Sequence, residues 1–73
     1  MIENVQITYI SDFGDNYFEV ENKENETFFC RLKNVNMWDY LYSISHLDGL
    51  SFKVLKTLKN FKNNNNLYIV DII

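Results

Sequence analysis

Apolar and polar residues alternate along the first half of the chain. In residues 2–10, IENVQITYI, Val5, Ile7 and Tyr9 fall on one face and Asn4, Gln6 and Thr8 on the other. That period of two is the signature of a half-buried strand. Residues 16–22, NYFEVEN, set Phe18 and Val20 against Tyr17, Glu19 and Glu21. Residues 26–33, ETFFCRLK, set Phe28, Cys30 and Leu32 against Thr27, Phe29, Arg31 and Lys33. The links between these strands are polar. Ser11 to Asp15 reads as a turn, with Gly14 supplying a permissive backbone, and Asn22 to Asn25 reads as a hairpin loop.

The period then changes. From Asn36 to Gly49, NMWDYLYSISHLDG, a projection at about 100° per residue gathers Met37, Trp38, Tyr40, Leu41, Ile44 and Leu47 on a broad apolar arc. Asp39, Ser43 and His46 fall opposite. Asn36 is placed to cap the first turn, Asp39 to favour the helix N-terminus, and Gly49 to end the segment in a left-handed conformation. The spacing predicts a helix over 37–47 with its Trp38 face buried.

Residues 50–62, LSFKVLKTLKNFK, fit two periods. Phe52, Val54, Leu55, Leu58 and Phe61 lie within half a helical turn, yet Phe, Val and Thr are middling helix formers. A long strand that bends at a bulge buries both faces in turn and fits the same pattern. The strand is preferred. Asn63 to Asn66 is a loop, and residues 67–73, LYIVDII, are a strand apolar on both faces, so some neighbour must cover it. The expected core is Phe18, Val20, Phe28, Leu32, Trp38, Leu41, Ile44, Val70 and Ile72.

The predicted order is β-β-β-α-β-β, an α+β chain that is mainly antiparallel β, in one domain spanning 1–73. In so short a chain this order resembles the OB-fold, a five-stranded Greek-key barrel with a helix between its third and fourth strands. If 51–62 is helical instead, the alternative is a four-stranded sheet with two helices, 37–47 and 51–62. The final strand, read as an edge, predicts a homodimer with Leu67, Ile69 or Ile73 at its interface.

Composition narrows the chemistry. Seventy-three residues support one modest core, so dense aromatic packing or self-association must help hold it. Cys30 is the only cysteine and His46 the only histidine, which rules out a disulfide within the chain and a Cys/His zinc site. Cys30 reads as a small buried hydrophobe, and His46 lies on the polar helix face with no second histidine to act with it. Gly14 and Gly49 are the only glycines, too few for a phosphate-binding loop. No catalytic residue, cofactor or metal is expected, and the chain is read as non-enzymatic. The start, MIENVQITYI, carries Glu3 and lacks the basic and apolar parts of a signal segment. No run approaches the roughly 18 apolar residues of a membrane span, so a cytoplasmic protein is expected. Abundant Asn, Ile and Lys with no Ala or Pro point to an AT-rich genome, such as that of a low-GC bacterium or its phage.

Charge is unevenly spread around a net of −3. Residues 1–30 carry Glu3, Asp12, Asp15, Glu19, Glu21, Glu24 and Glu26 against Lys23 alone, whereas 51–62 carry Lys53, Lys56, Lys59 and Lys62 and no acid. In size and composition the chain resembles the small acidic proteins by which phages of low-GC bacteria inhibit host replication, repair or defence proteins. The resemblance implies a host protein as partner, including a DNA-binding one whose lysines and arginines meet carboxylates in place of phosphates. The residues expected to meet that partner are Asp12, Asp15, Glu19, Glu21, Glu24 and Glu26. The OB-like order carries an alternative, a single-stranded nucleic-acid-binding module using Tyr17, Phe29, Arg31 and Lys33 on the outer face of strands two and three. Glu19 and Glu21 share that face and oppose a polyanion. Tyr17 and Phe29 also fit a cross-strand pair that only stabilises the sheet.

Overall fold

The computed structural model describes residues 1–12 and 14–73; Phe13, in the turn expected over 11–15, lies outside the described residues. The elements are strands β1 (Ile2–Ile10), β2 (Phe18–Glu21) and β3 (Thr27–Leu32), helix α1 (Trp38–Ile44), and strands β4 (Leu50–Leu58) and β5 (Leu67–Ile72). The strands close into a small barrel in the order β1-β2-β3-β5-β4, with β4 pairing back onto β1. Neighbours are antiparallel except β3 and β5, which run parallel. The fold is mostly β, with one short helix.

β1 serves two neighbours. Its first half pairs with β4 through Ile2–Phe52 and Val5–Leu50, and its second half pairs with β2 from Gln6–Glu21 to Ile10–Phe18. Two irregularities let one strand do this. Asn4 takes a left-handed φ of 56° between Ile2 and Val5, and the register slips again between Ile7 and Tyr9. The second slip turns Tyr9 outward, 46% exposed, so it does not share the buried face of Val5 as the alternation predicted. An extra residue in one strand flips the parity of everything beyond it.

The helix is shorter than the predicted 37–47. Asn34, not Asn36, is the cap: its side chain accepts from the Asn36 N–H at 3.0 Å and opens a single 3₁₀ turn, Val35–Met37, ahead of α1. At the other end Ser43 and Ser45 turn their hydroxyls onto the carbonyls of Tyr40 and Tyr42, at 2.6 and 2.8 Å, and the helix stops. Serine favours such local bonds over continuing a helix. Trp38, Leu41 and Ile44 are buried; Met37, Tyr40 and Leu47, expected on the same apolar arc, are exposed. Gly49, at φ 72°, turns the chain into β4.

The helical alternative for 51–62 does not occur. Residues 50–58 form β4, with a slip in register between Val54 and Lys56 that leaves Leu55 exposed. β5 lies between β3 and β4 and is bonded on both sides, so it is not the free edge on which the expected dimer rested. Leu67 is only 1% exposed within its own chain and Ile69 is half-buried, whereas Ile73 is 70% exposed.

The core is aromatic. Phe18 meets Phe52 with centroids 5.4 Å apart and Trp38 edge-on at 6.5 Å, and Val20, Cys30, Leu32, Leu41 and Val70 fill the space around them. Phe28 and Ile72, also expected in the core, are half-buried against it. Trp38 is the largest side chain α1 contributes, and it is 5% exposed. Trp38→Ala is expected to cost about 3–5 kcal/mol, much of the stability of a domain this size. Chemical denaturation measures that loss, and native Trp38 emission should be blue-shifted and shielded from iodide.

Candidate interaction face

The outer surface of β2 and β3 holds most of the residues singled out from the sequence. Because Phe18, Val20, Cys30 and Leu32 point into the barrel, Glu19 and Glu21 on β2 and Thr27, Phe29 and Arg31 on β3 point out. Glu19 sits in register between Tyr9 of β1 and Phe29 of β3. Glu21 sits between Gln6 and Thr27.

A second aromatic cluster lies on this outside surface, at the end where β2 begins. The residue ahead of β2, Tyr17, is held by Ser11: the Ser11 N–H donates to the Tyr17 carbonyl, and the Tyr17 N–H donates to Ser11 Oγ, both at 3.0 Å. Its ring meets Tyr9 at 5.9 Å, Phe29 at 6.3 Å and Phe61 edge-on at 5.3 Å. Phe61 also meets Phe29 at 5.9 Å. Tyr17 is therefore only 5% exposed although it lies outside the barrel.

Phe61 comes from the loop between β4 and β5, and sequence reasoning placed it in the preceding strand or helix. Asn60, Asn63 and Asn64 adopt left-handed φ values of 62°, 48° and 64°, which turn the chain sharply. The Phe61 N–H donates to the Asn65 carbonyl and the Asn65 N–H to the Lys62 carbonyl, both at 2.8 Å, closing the loop on itself. The asparagine run was the visible signal that the chain turns here; nothing local showed where Phe61 would land.

Lys62 follows it across. Its ammonium donates to Tyr17 Oη at 2.9 Å and lies 4.4 Å from the Tyr17 ring centroid and 5.7 Å from that of Phe61. The hydrogen bond to Tyr17 is the main cause holding the Lys62 pKa above its ordinary value; desolvation opposes it, and the charges of Tyr17, Asp15 and Tyr9 add to it. Tyr9 is also shifted upward, chiefly by the charge of Tyr17, then by desolvation and by Asp12.

Arg31 is engaged by the first loop. Its Nε donates to the Asn16 carbonyl at 3.2 Å and its Nη2 to the Asp15 carbonyl at 3.3 Å, tying 15–16 to the outer face of β3. Of the residues expected to meet nucleic acid, Tyr17, Phe29 and Arg31 are thus brought together, but on contacts within the chain. Lys33 is exposed just past the end of β3.

The six acids spread along β2 and the loops at its two ends. Asp12 and Asp15 occupy the loop before it, joined by the Asp15 N–H donating to the Asp12 carbonyl at 3.0 Å. Glu19 and Glu21 follow on the strand, and Glu24 and Glu26 lie in the hairpin after it. That hairpin is ordered by Asn22, whose Oδ1 accepts from the N–H groups of Glu24 and Glu26 at 3.0 and 2.9 Å, while its Nδ2 donates to Glu26 Oε1 at 2.9 Å. The basic residues Lys53 and Lys56 lie on β4, which is separated from β2 by β1 on one side and by β3 and β5 on the other; Lys53 faces Asp71 of β5 in register.

Reactive groups lie apart from this face. Cys30 is buried in the core, and burial pushes its thiol up to about 12. His46 is exposed beyond α1. Among the described residues no helix is long and apolar enough to cross a membrane, and no three His, Cys, Asp or Glu side chains converge as metal ligands would. No protein-family model, curated protein or solved structure matches the chain.

The Cys30 thiol should react with a thiol reagent near neutral pH no faster than the barrel unfolds, and at once in denaturant. Its folded pKa is raised, so the stabilising contribution is fully present below the ordinary value of 9.0 and is lost as pH climbs from there toward about 12. Thermal melts across the alkaline range should fall through that window. Cys30→Ser, which has no titration there, should flatten the sulfur's share of the decline.

Proposed function

We propose that the chain is a non-catalytic binding protein whose acidic outer face, centred on β2, engages a basic surface of a partner protein. The observation that carries this reading is a contrast on one side of the barrel. The aromatic platform of Tyr17 and Phe29 is filled by the chain's own Phe61 and Lys62, while Glu19 and Glu21 beside it keep their carboxylates outward, next to the exposed ring of Tyr9. An exposed tyrosine flanked by charge is a common anchor of protein interfaces.

Carboxylates two residues apart on one strand face stand about 6.6–7 Å from each other, close to the phosphate spacing along a DNA strand. Glu19 and Glu21, extended by Asp12 and Asp15 at one end and Glu24 and Glu26 at the other, would occupy lysines and arginines that otherwise hold DNA. A host protein that handles DNA is the class of partner this charge pattern suits, and competition for its DNA-binding surface is the mechanism. Some of the small acidic phage inhibitors that the chain resembles act in this way, and the reading goes with the cytoplasm of a bacterial cell.

The element order and the closed barrel, with β3 beside β5, support the OB-like resemblance, and with it a second reading. In OB-like barrels the strand 2–3 face, framed by the first and last loops, binds oligonucleotides. Tyr17, Phe29, Phe61 and Lys62 lie together on that face. A single strand would have to displace Phe61 and Lys62 and approach past Glu19, so this reading stands second.

Replacing Glu19, Glu21, Glu24 and Glu26 together by Gln tests the first reading. Association with a partner captured from a low-GC bacterial lysate should slow by about tenfold or more at low salt and lose most of its salt dependence. Trp38 emission should stay native. Wild-type association rates across salt concentrations in the quadruple variant would contradict the proposal.

A further inference from the structure

Lys62 marks a site. Its ammonium rests on the Tyr17 ring and bonds the Tyr17 hydroxyl, with Phe61 beside it and Tyr9 packed on the same Tyr17 ring. Aromatic faces attract cations through their quadrupole, and a neighbouring phenol oxygen and carboxylates add to that attraction. Both acids of the first loop flank Tyr17 along the chain: Asp12 follows Ser11, which bonds the Tyr17 backbone, and the Asp15 carbonyl, two residues before Tyr17, is held by Arg31. The chain thereby holds its own cation against a cluster of two tyrosines and a phenylalanine.

The occupant is easily removed. Lys62 is exposed, and the loop that bears it is held by the Phe61 ring and by backbone bonds from Phe61 to Asn65 and from Asn65 to Lys62, none of which uses the Lys62 side chain. These contacts are independent of where the ammonium lies. A competing cation would find the Tyr17 face and the Tyr17 hydroxyl in place.

We infer that the Tyr9–Tyr17–Phe61 cluster is a subsite for a lysine or arginine side chain of a partner protein, which displaces Lys62 on binding. This rests on the acidic-face reading and deepens it. The partner's surface charge is attracted by the row along β2, and one projecting cation is then held on Tyr17. Lys62 acts as a placeholder that keeps the ring covered in the free protein and lowers the apparent affinity for the incoming cation by self-competition.

The probe is arginine amide, with lysine amide in parallel, titrated into the whole chain while the ring protons of Tyr9, Tyr17 and Phe61 are followed by NMR. In Lys62→Ala the shifts should be saturable, with a dissociation constant about two- to fivefold below that of the wild type, the size of an exposed cation–π contact. Lys62→Met, which keeps an unbranched stem against the ring, should behave likewise if alanine lets the loop move. Adding Asp12→Asn and Asp15→Asn should weaken binding again. Absence of saturable ring shifts in both Lys62 variants, with Trp38 emission native, would overturn the inference, as would equal affinities in variant and wild type. The probe needs no partner, so its failure leaves the proposed function standing. Partner association indifferent to the glutamates of β2, with arginine amide still bound, would topple that function and leave the subsite.

Discussion

Placing β5 between β3 and β4 is the constraint from which the rest of the structure follows. A chain of this length cannot cover a flat sheet on both faces, and closing the sheet removes its edges while enclosing one aromatic core. Once β5 pairs with both neighbours, its apolar residues have cover on each side. Val70 lies in the core cluster with Phe18 and Phe52, and Leu67 is also buried. The parallel pairing with β3 also fixes the route of the chain. The segment between β3 and β4 must cross the barrel, and α1 does so with Trp38 against Phe18. Because β5 runs parallel to β3, the β4–β5 connection turns at the end where β2 finishes and β3 begins, and it folds back over the outer face to bring Phe61 and Lys62 against Tyr17.

The same closure sorts the charges. Strand order keeps β2, with its carboxylates, off β4, with its lysines, so the acidic and basic halves of the sequence become separate surfaces instead of neutralising each other. Lys62 reaches the β2 side because it rides on the loop. Its position leaves the outer aromatic cluster occupied by the chain's own cation.

What could be read from the sequence was what depended on neighbours within one period. Phe18 with Val20 and Cys30 with Leu32 alternate cleanly because β2 and β3 have one face in the core, and the acids beside them are outward for the same reason. Tyr9 was misplaced because a slip between Ile7 and Tyr9 reverses the alternation, and a bulge leaves little trace in residue type. The helix ran shorter than its apolar arc because Ser43 and Ser45 bond their own turn. β5 read as an edge because its cover comes from β3, far earlier in the chain. Tyr17 and Phe29 were legible as companions, but Lys62 was not, since it meets Tyr17 across 45 residues of sequence.

The central claim is that this outer face is closed to polyanions by the chain's own loop and turned toward cations. The most direct measurement is the fluorescence anisotropy of a labelled single-stranded oligonucleotide titrated with the protein at low salt, where any binding to phosphates is strongest. No change in anisotropy is expected. Binding that weakens steeply as salt is added, and that Phe29→Ala reduces by about 1–3 kcal/mol, would contradict it.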